Sequence, residues 1–258
     1  MKTTIDNQRT RKFSTTAEDY VNFADRLVEE TSCISGVSSI VICGSFAKDT
    51  LVPGWSDIDI IYFVEDQKSP INTYRKIGKV VRTLQMDRPI LVGLDIASSR
   101  EFQKTWKIGM RALGMTFEVA GSGKTVFGDC LMEQVVWNEK YRLQIKTEAT
   151  NLMRAHLHEW RRWYINTSID YESNDHLRKN VVTCLKICKL STDPNLQAPF
   201  SYEQCVNVMR GNGNPEAETN ILSLAVETRR NWQDISEKPK EVAMRNRVLS
   251  EAIAKIRR

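Results

Sequence analysis

The 258-residue chain reads as an α+β protein in which strands alternate with helices over residues 1–135 and a helical bundle fills 136–258. Two observations predict this division. β-branched apolar runs alternate with helix-period patterns in the first part, whereas after residue 135 the apolar period is almost wholly helical. The charge changes at the same place: residues 1–135 carry 17 basic and 17 acidic side chains, and residues 136–258 carry 20 and 15. The formal excess of +5 therefore belongs entirely to the second part, and is too mild by itself to announce a polyanion partner.

The elements follow in chain order. Thr16-Ala-Glu-Asp19 has the form of a capping box, and Tyr20, Phe23, Ala24 and Leu27 follow at helical spacing. Residues 38–43 and 57–64 are apolar runs of strand length. Ser69-Pro70 places a cap and an N1 proline before the stripe Ile71, Tyr74, Ile77, Val81 and Leu84. Residues 89–96 predict a third strand, with short strands expected at Met115–Val119 and Lys124–Phe127 around Gly121-Ser-Gly123. In the second part, Ala149, Leu152, Met153, His156, Leu157, Trp160 and Tyr164 share one helix face, and Val181, Cys184, Leu185 and Cys188 share another. Asn214-Pro215 opens a helix through Leu222, Ala225 and Val226, and Pro239 one through Val242, Leu249 and Ile253. Four such helices can close a bundle.

Composition narrows the class further. With 41% apolar and 27% charged residues, 12 Gly and 7 Pro, the chain is neither collagen-like nor disordered. No run approaches the ~20 apolar residues that span a bilayer. The polar, basic Met1–Lys12 segment has no apolar core behind it, so no secretory signal is expected. Six scattered cysteines without a CxxC pair predict reduced thiols and a cytoplasmic protein.

Chemistry concentrates between Val41 and Ile60. Asp57 and Asp59 stand two apart in an apolar strand, so both carboxylates leave the same face. Two like charges so placed repel, and a hard divalent cation with oxygen ligands is the usual compensation. Gly44-Ser45 ends the preceding strand. Glycine lets a phosphate approach the backbone, a following helix start offers free N–H groups, and Ser45 and Lys48 add a donor and a charge. Asp95 is a lone acid in the apolar run Ile90–Ile96; if that strand lies beside 57–64, it completes a three-carboxylate cluster. Either motif alone is common, but this ordered combination has few structural explanations. Gly121-Ser-Gly-Lys-Thr125 imitates a P-loop, yet Glu118 stands where that loop needs its first glycine.

At these residues the sequence resembles the nucleotidyltransferases of the DNA polymerase beta superfamily, whose pattern is an apolar strand ending in Gly-Ser, an Asp-x-Asp strand and a later acid. The resemblance implies a mixed sheet flanked by helices for residues 1–135 and a bundle for 136–258 that completes the nucleotide and acceptor sites. It implies that Asp57 and Asp59 bind two Mg2+ carrying a nucleoside triphosphate, ATP foremost. Asp95 would bind the second metal or take the acceptor's proton, with Glu139 and Glu148 as alternatives for the base. Gly44, Ser45, Lys48 and Ser56 would contact the nucleotide. A weaker likeness joins Phe127-Gly128-Asp129 and Asp170–Lys189 to aminoglycoside adenylyltransferases, and makes Lys179 a phosphate ligand. Two positions depart from that subgroup: Tyr202 replaces an expected lysine, and the third acid is Asp95 instead of glutamate.

These readings point to an adenylyltransferase acting on a small hydroxyl-bearing acceptor, best matched by an aminoglycoside, with Asp170 and Glu172 receiving its positive charges. A monomer or a homodimer suits this equally. The excess charge of residues 136–258 favours a second reading, transfer to tRNA or protein. A non-catalytic nucleotide-binding protein is a third, opposed by the intact set of acids.

Overall fold

A computed structural model describes residues 15–65, 71–109, 111–136, 138–167, 170–192, 201–213 and 215–256. Ser69-Pro70 and Asn214, expected at helix starts, lie outside the described residues. The elements run α1 (Ala17–Ser32), β1 (Val37–Cys43), α2 (Gly44–Ala47), β2 (Ile58–Val64), α3 (Ile71–Asp87), β3 (Val92–Ser98), α4 (Ser99–Thr105), α5 (Leu113–Ser122) and β4 (Lys124–Gly128). After a short 3-10 turn at Leu131–Gln134 come α6 (Glu139–Asn166), α7 (Asn174–Thr192), α8 (Tyr202–Gly211), α9 (Glu216–Arg230), α10 (Trp232–Ser236) and α11 (Pro239–Lys255). The chain forms two compact units, one of residues 1–111 and 122–135, the other of 112–121 and 136–258.

In the first unit the sheet order is β3-β2-β1-β4. β1 pairs antiparallel with β2 and β4, and β2 pairs parallel with β3, so the sheet is mixed. The parallel pair is joined through α3, as a crossover requires. Thr16 and Asp19 form the expected capping box on α1. Its buried Tyr20, Phe23 and Leu27 pack with Ile77, Val81 and Leu84 of α3 against Ile40, Ile42, Ile58, Ile60 and Tyr62. One sheet face is thus spent on the hydrophobic core. Period-2 alternation turns the intervening residues of β2 and β3, including Asp59 and Asp95, to the opposite face. Phe63, Phe102 and Trp106 cover the far end of that face in a chain of edge-to-face contacts, with centroids 5.1 and 5.6 Å apart.

Two local expectations are corrected. Residues 115–119 lie in the helix α5; Leu113, Thr116 and Val119 are buried at a spacing of three, a helical period that the β-branched composition hides. The third strand starts at Val92, because Pro89 lacks an N–H and residues 88–90 form a turn in which Ile90 N–H donates to the Arg88 carbonyl (2.8 Å). The helix start expected after Gly44-Ser45 is present, as a single turn closed by Lys48 N–H on the Gly44 carbonyl (3.3 Å). Gly121-Ser122 ends α5 and Lys124-Thr125 begins β4, so the imitation P-loop follows a helix, not a strand.

In the second unit α7 is the central helix, packed by α6, α8, α9 and α11. Its buried Leu177, Val181, Cys184, Leu185 and Cys188 extend the stripe expected there. All six cysteines are free. Among the described residues no helix is long and apolar enough to cross a membrane.

Candidate active site

Strand register assembles the acids. Asp59 lies opposite Cys43 of β1 on one side and opposite Gly93 of β3 on the other. Asp95 lies opposite Ile61, one pleat further along the same face. Asp57 immediately precedes β2, and its carboxylate joins that of Asp59 over Gly93: a Cβ built on Gly93 would stand 2.5 Å from Asp59 Oδ1 and 3.7 Å from Asp57 Oδ2. Gly44 serves Asp59 from the other side. Its φ is +71°, and a Cβ there would fall 2.1 Å from Asp59 Oδ2. Two glycines therefore make the cradle that seats one carboxylate, a requirement that neither propensity nor composition would show.

The charges in this cradle are not fully balanced. Burial raises the Asp59 pKa first, and the neighbouring Asp57 raises it further, while Arg111 opposes both. Two oxygen-bearing, like-charged groups on a water-accessible edge, with a surplus of negative charge, fit a hard divalent cation. Magnesium, when bound, would supply charge neutralisation for a triphosphate; Asp57 and Asp59 are the side chains placed to hold it.

Arg111 is the residue that motif reading missed. Its Nε donates to Asp95 Oδ2 and its Nη2 to Asp59 Oδ1 at 3.4 Å. Burial works against the guanidinium charge, but Cys43, Asp95 and Asp59 together outweigh it and raise the Arg111 pKa. The loop that delivers it is built for the purpose. Trp106 ends α4 in the left-handed region, Ile108 is fully buried, Gly109 has φ +49° and lies against Asp95, and Arg111 N–H donates to the Ile108 carbonyl (2.8 Å). The only sequence signal is a cation two residues after a glycine, far from either motif. Cys43, beneath the acids, is a buried thiol pushed up to about 12, and so is no nucleophile at neutral pH.

The remaining expected residues fall as follows. Ser45 sits in the single turn α2 with Lys48 as its C-cap. Ser56 is buried and its Oγ accepts from Val52 N–H at 2.9 Å, while Tyr20 donates to its carbonyl at 2.8 Å; its hydroxyl is engaged in fastening the loop before β2. Lys179 on α7 pairs with Glu159 at 2.6 Å. Asp170 and Glu172 are exposed, and Glu172 N–H donates to Asp170 Oδ1 at 3.0 Å, shaping the turn before α7. Glu139 is exposed at the start of α6 beside Arg142. Glu148 receives the Leu113 N–H at 2.8 Å and so caps α5 from outside, with Gln144 on its other oxygen at 3.1 Å.

No curated protein matches the chain. Residues 24–113, which span β1, the acid-bearing strands and Arg111, match the family model of a nucleotidyltransferase domain. That match supports nucleotide transfer as the general activity, and it supports the likeness to polymerase-beta-type nucleotidyltransferases over this segment.

Proposed function

We propose that the protein transfers AMP from ATP to a hydroxyl of a small molecule, with an aminoglycoside as the best-matched acceptor, in the cytoplasm. The convergence of Asp57 and Asp59 in the Gly44–Gly93 cradle carries this reading. Of the two Mg2+ sites that the family likeness implies, this pair supports the one that carries the triphosphate. Ser45 and Lys48, in the turn directly after β1, are the chain's own groups for the leaving phosphates. The acceptor oxygen attacks the α-phosphorus, the α–β bridging P–O bond breaks, pyrophosphate leaves with its electron pair, and the hydroxyl's proton passes to a carboxylate base, for which Asp95, Glu139 and Glu148 are the candidates, or to solvent. The protein's part is positioning and neutralisation, which is what phosphoryl-type transfers need most. The roles of Lys179 at the nucleotide and of Asp170 and Glu172 at a cationic acceptor are proposals for substitution to test.

A second reading keeps the chemistry and makes tRNA or protein the acceptor. The concentration of the +5 excess in residues 136–258 favours it. The deciding experiment is pyrophosphate release from ATP and GTP with Mg2+ over a panel of aminoglycosides and bulk tRNA, with Asp59→Asn as the blank. Release with one drug that is lost in the variant establishes the first reading. Release with tRNA alone moves the function to the second. Failure to bind nucleotide with Mg2+ at all returns the chain to a non-catalytic role.

A further inference from the structure

Resting on the nucleotidyl-transfer reading above, we infer that Arg111 is the resident cation of the Asp59–Asp95 edge and stands in place of a second metal ion, so that the enzyme works with one divalent cation. Asp95 is then a positioning residue for Arg111, neither a metal ligand nor the base.

The geometry separates the three acids into two groups. Asp57 and Asp59 converge over Gly93, whereas Asp95 lies one pleat further on and is turned to the Arg111 Nε. Arg111 bridges the two groups, since its Nη2, on the same side-on edge as Nε, reaches Asp59 Oδ1 at 3.4 Å. A planar guanidinium suits this bridging role better than an ammonium, because its donors are fixed in direction. The contact is also not a chance surface pair: the Arg111 side chain is 18% exposed, Asp95 21% and Asp59 27%. The fully buried Ile108 and the left-handed Trp106 and Gly109 fix the loop that brings it there. Its Nη1 edge has no partner among the described residues and is left for a phosphate oxygen.

The test counts metal directly. Full-length protein saturated with the α,β-methylene analogue of ATP is titrated with Mn2+, and protein-bound ions are counted by equilibrium dialysis and electron paramagnetic resonance. One Mn2+ per bound analogue in the wild type is the expected result, and two overturns the inference. Arg111→Gln is expected to admit a second Mn2+, because the Asp59–Asp95 edge is then uncompensated. Asp95→Asn is expected to leave the count at one; a fall from two to one identifies Asp95 as a ligand and overturns the proposal. The wild-type count decides even if a variant fails to fold. A wild type that binds neither this analogue nor its guanosine counterpart refutes the nucleotidyl-transfer reading itself, and this inference falls with it.

Discussion

Asp59 is held where its charge is costly. Its pKa is raised above the ordinary carboxylate value of 3.8 by burial and by Asp57. The folded protein therefore holds this proton longer than the unfolded chain, and metal-free stability falls as pH rises from about 3.8 through the raised value. Asp59→Asn removes that cost. At pH 7 without divalent ions the variant is expected to melt a few degrees higher than wild type, with the gain vanishing below pH ~4, as thermal scans at the two pH values would check. The same change is expected to lower pyrophosphate release by ~100-fold or more, since it trades stability for an empty charge site. Gly44→Ala tests the cradle from the other side. The left-handed φ alone costs an L-residue about 1–2 kcal/mol, and the new Cβ collides with Asp59 Oδ2. Denaturant titration is expected to show at least that loss, with activity reduced to the level of Asp59→Asn. The Asp-x-Asp pair and the Gly-Ser turn were legible as residues because they are local patterns. Arg111 was not, because its meaning arises only when a loop folds it back onto Asp95, sixteen positions earlier.

At the scale of elements, a buried amide chain fixes the acidic turn before α7. Trp160 Nε1 donates to Asn180 Oδ1 at 2.8 Å, Asn180 Nδ2 donates to Asn246 Oδ1 at 3.0 Å, and Asn246 Nδ2 reaches the carbonyls of Tyr171 (2.7 Å) and Ser173 (3.1 Å). Asn246 is fully buried, so Asn246→Ala strands several polar groups and is expected to cost about 3 kcal/mol, measured by denaturant unfolding. If Asp170 and Glu172 serve the acceptor, the same variant raises the acceptor KM and leaves the ATP KM unchanged; equal effects on both would remove the acceptor role from this turn. Helices with a long apolar stripe, such as α3, α7 and α11, were readable because their buried face repeats at 3.6 residues. α5 escaped because its short run Met115–Val119 satisfies a strand composition as well. What makes it helical is partly distant: Glu148 caps it and Glu118 pairs with Lys189 of α7. The mixed sheet order is likewise set by long-range pairing, which period-2 alternation alone cannot assign.

For the molecule as a whole, the uneven charge separates the two acceptor classes. Residues 1–135 are neutral in sum, and residues 136–258 hold the entire +5. A polyanionic acceptor would have to bind through the second stretch and release condensed counterions on doing so. Six or more phosphate contacts would then lower its affinity by roughly 10³-fold between 50 and 200 mM salt. A small acceptor gathered by Asp170 and Glu172 releases no such atmosphere; two exposed carboxylates give a screened attraction that changes by about tenfold or less over the same range. The expected outcome is the shallow dependence. It is read from the acceptor KM for pyrophosphate release at four salt concentrations, with the ATP KM followed in parallel to correct for effects at Asp57 and Asp59. Asp170→Asn should flatten the acceptor curve further, because it removes one of the two charges that salt screens. A steep curve for RNA that persists in Asp170→Asn would instead assign the basic side chains of residues 136–258 to the acceptor, and the acidic turn to the bundle's own structure.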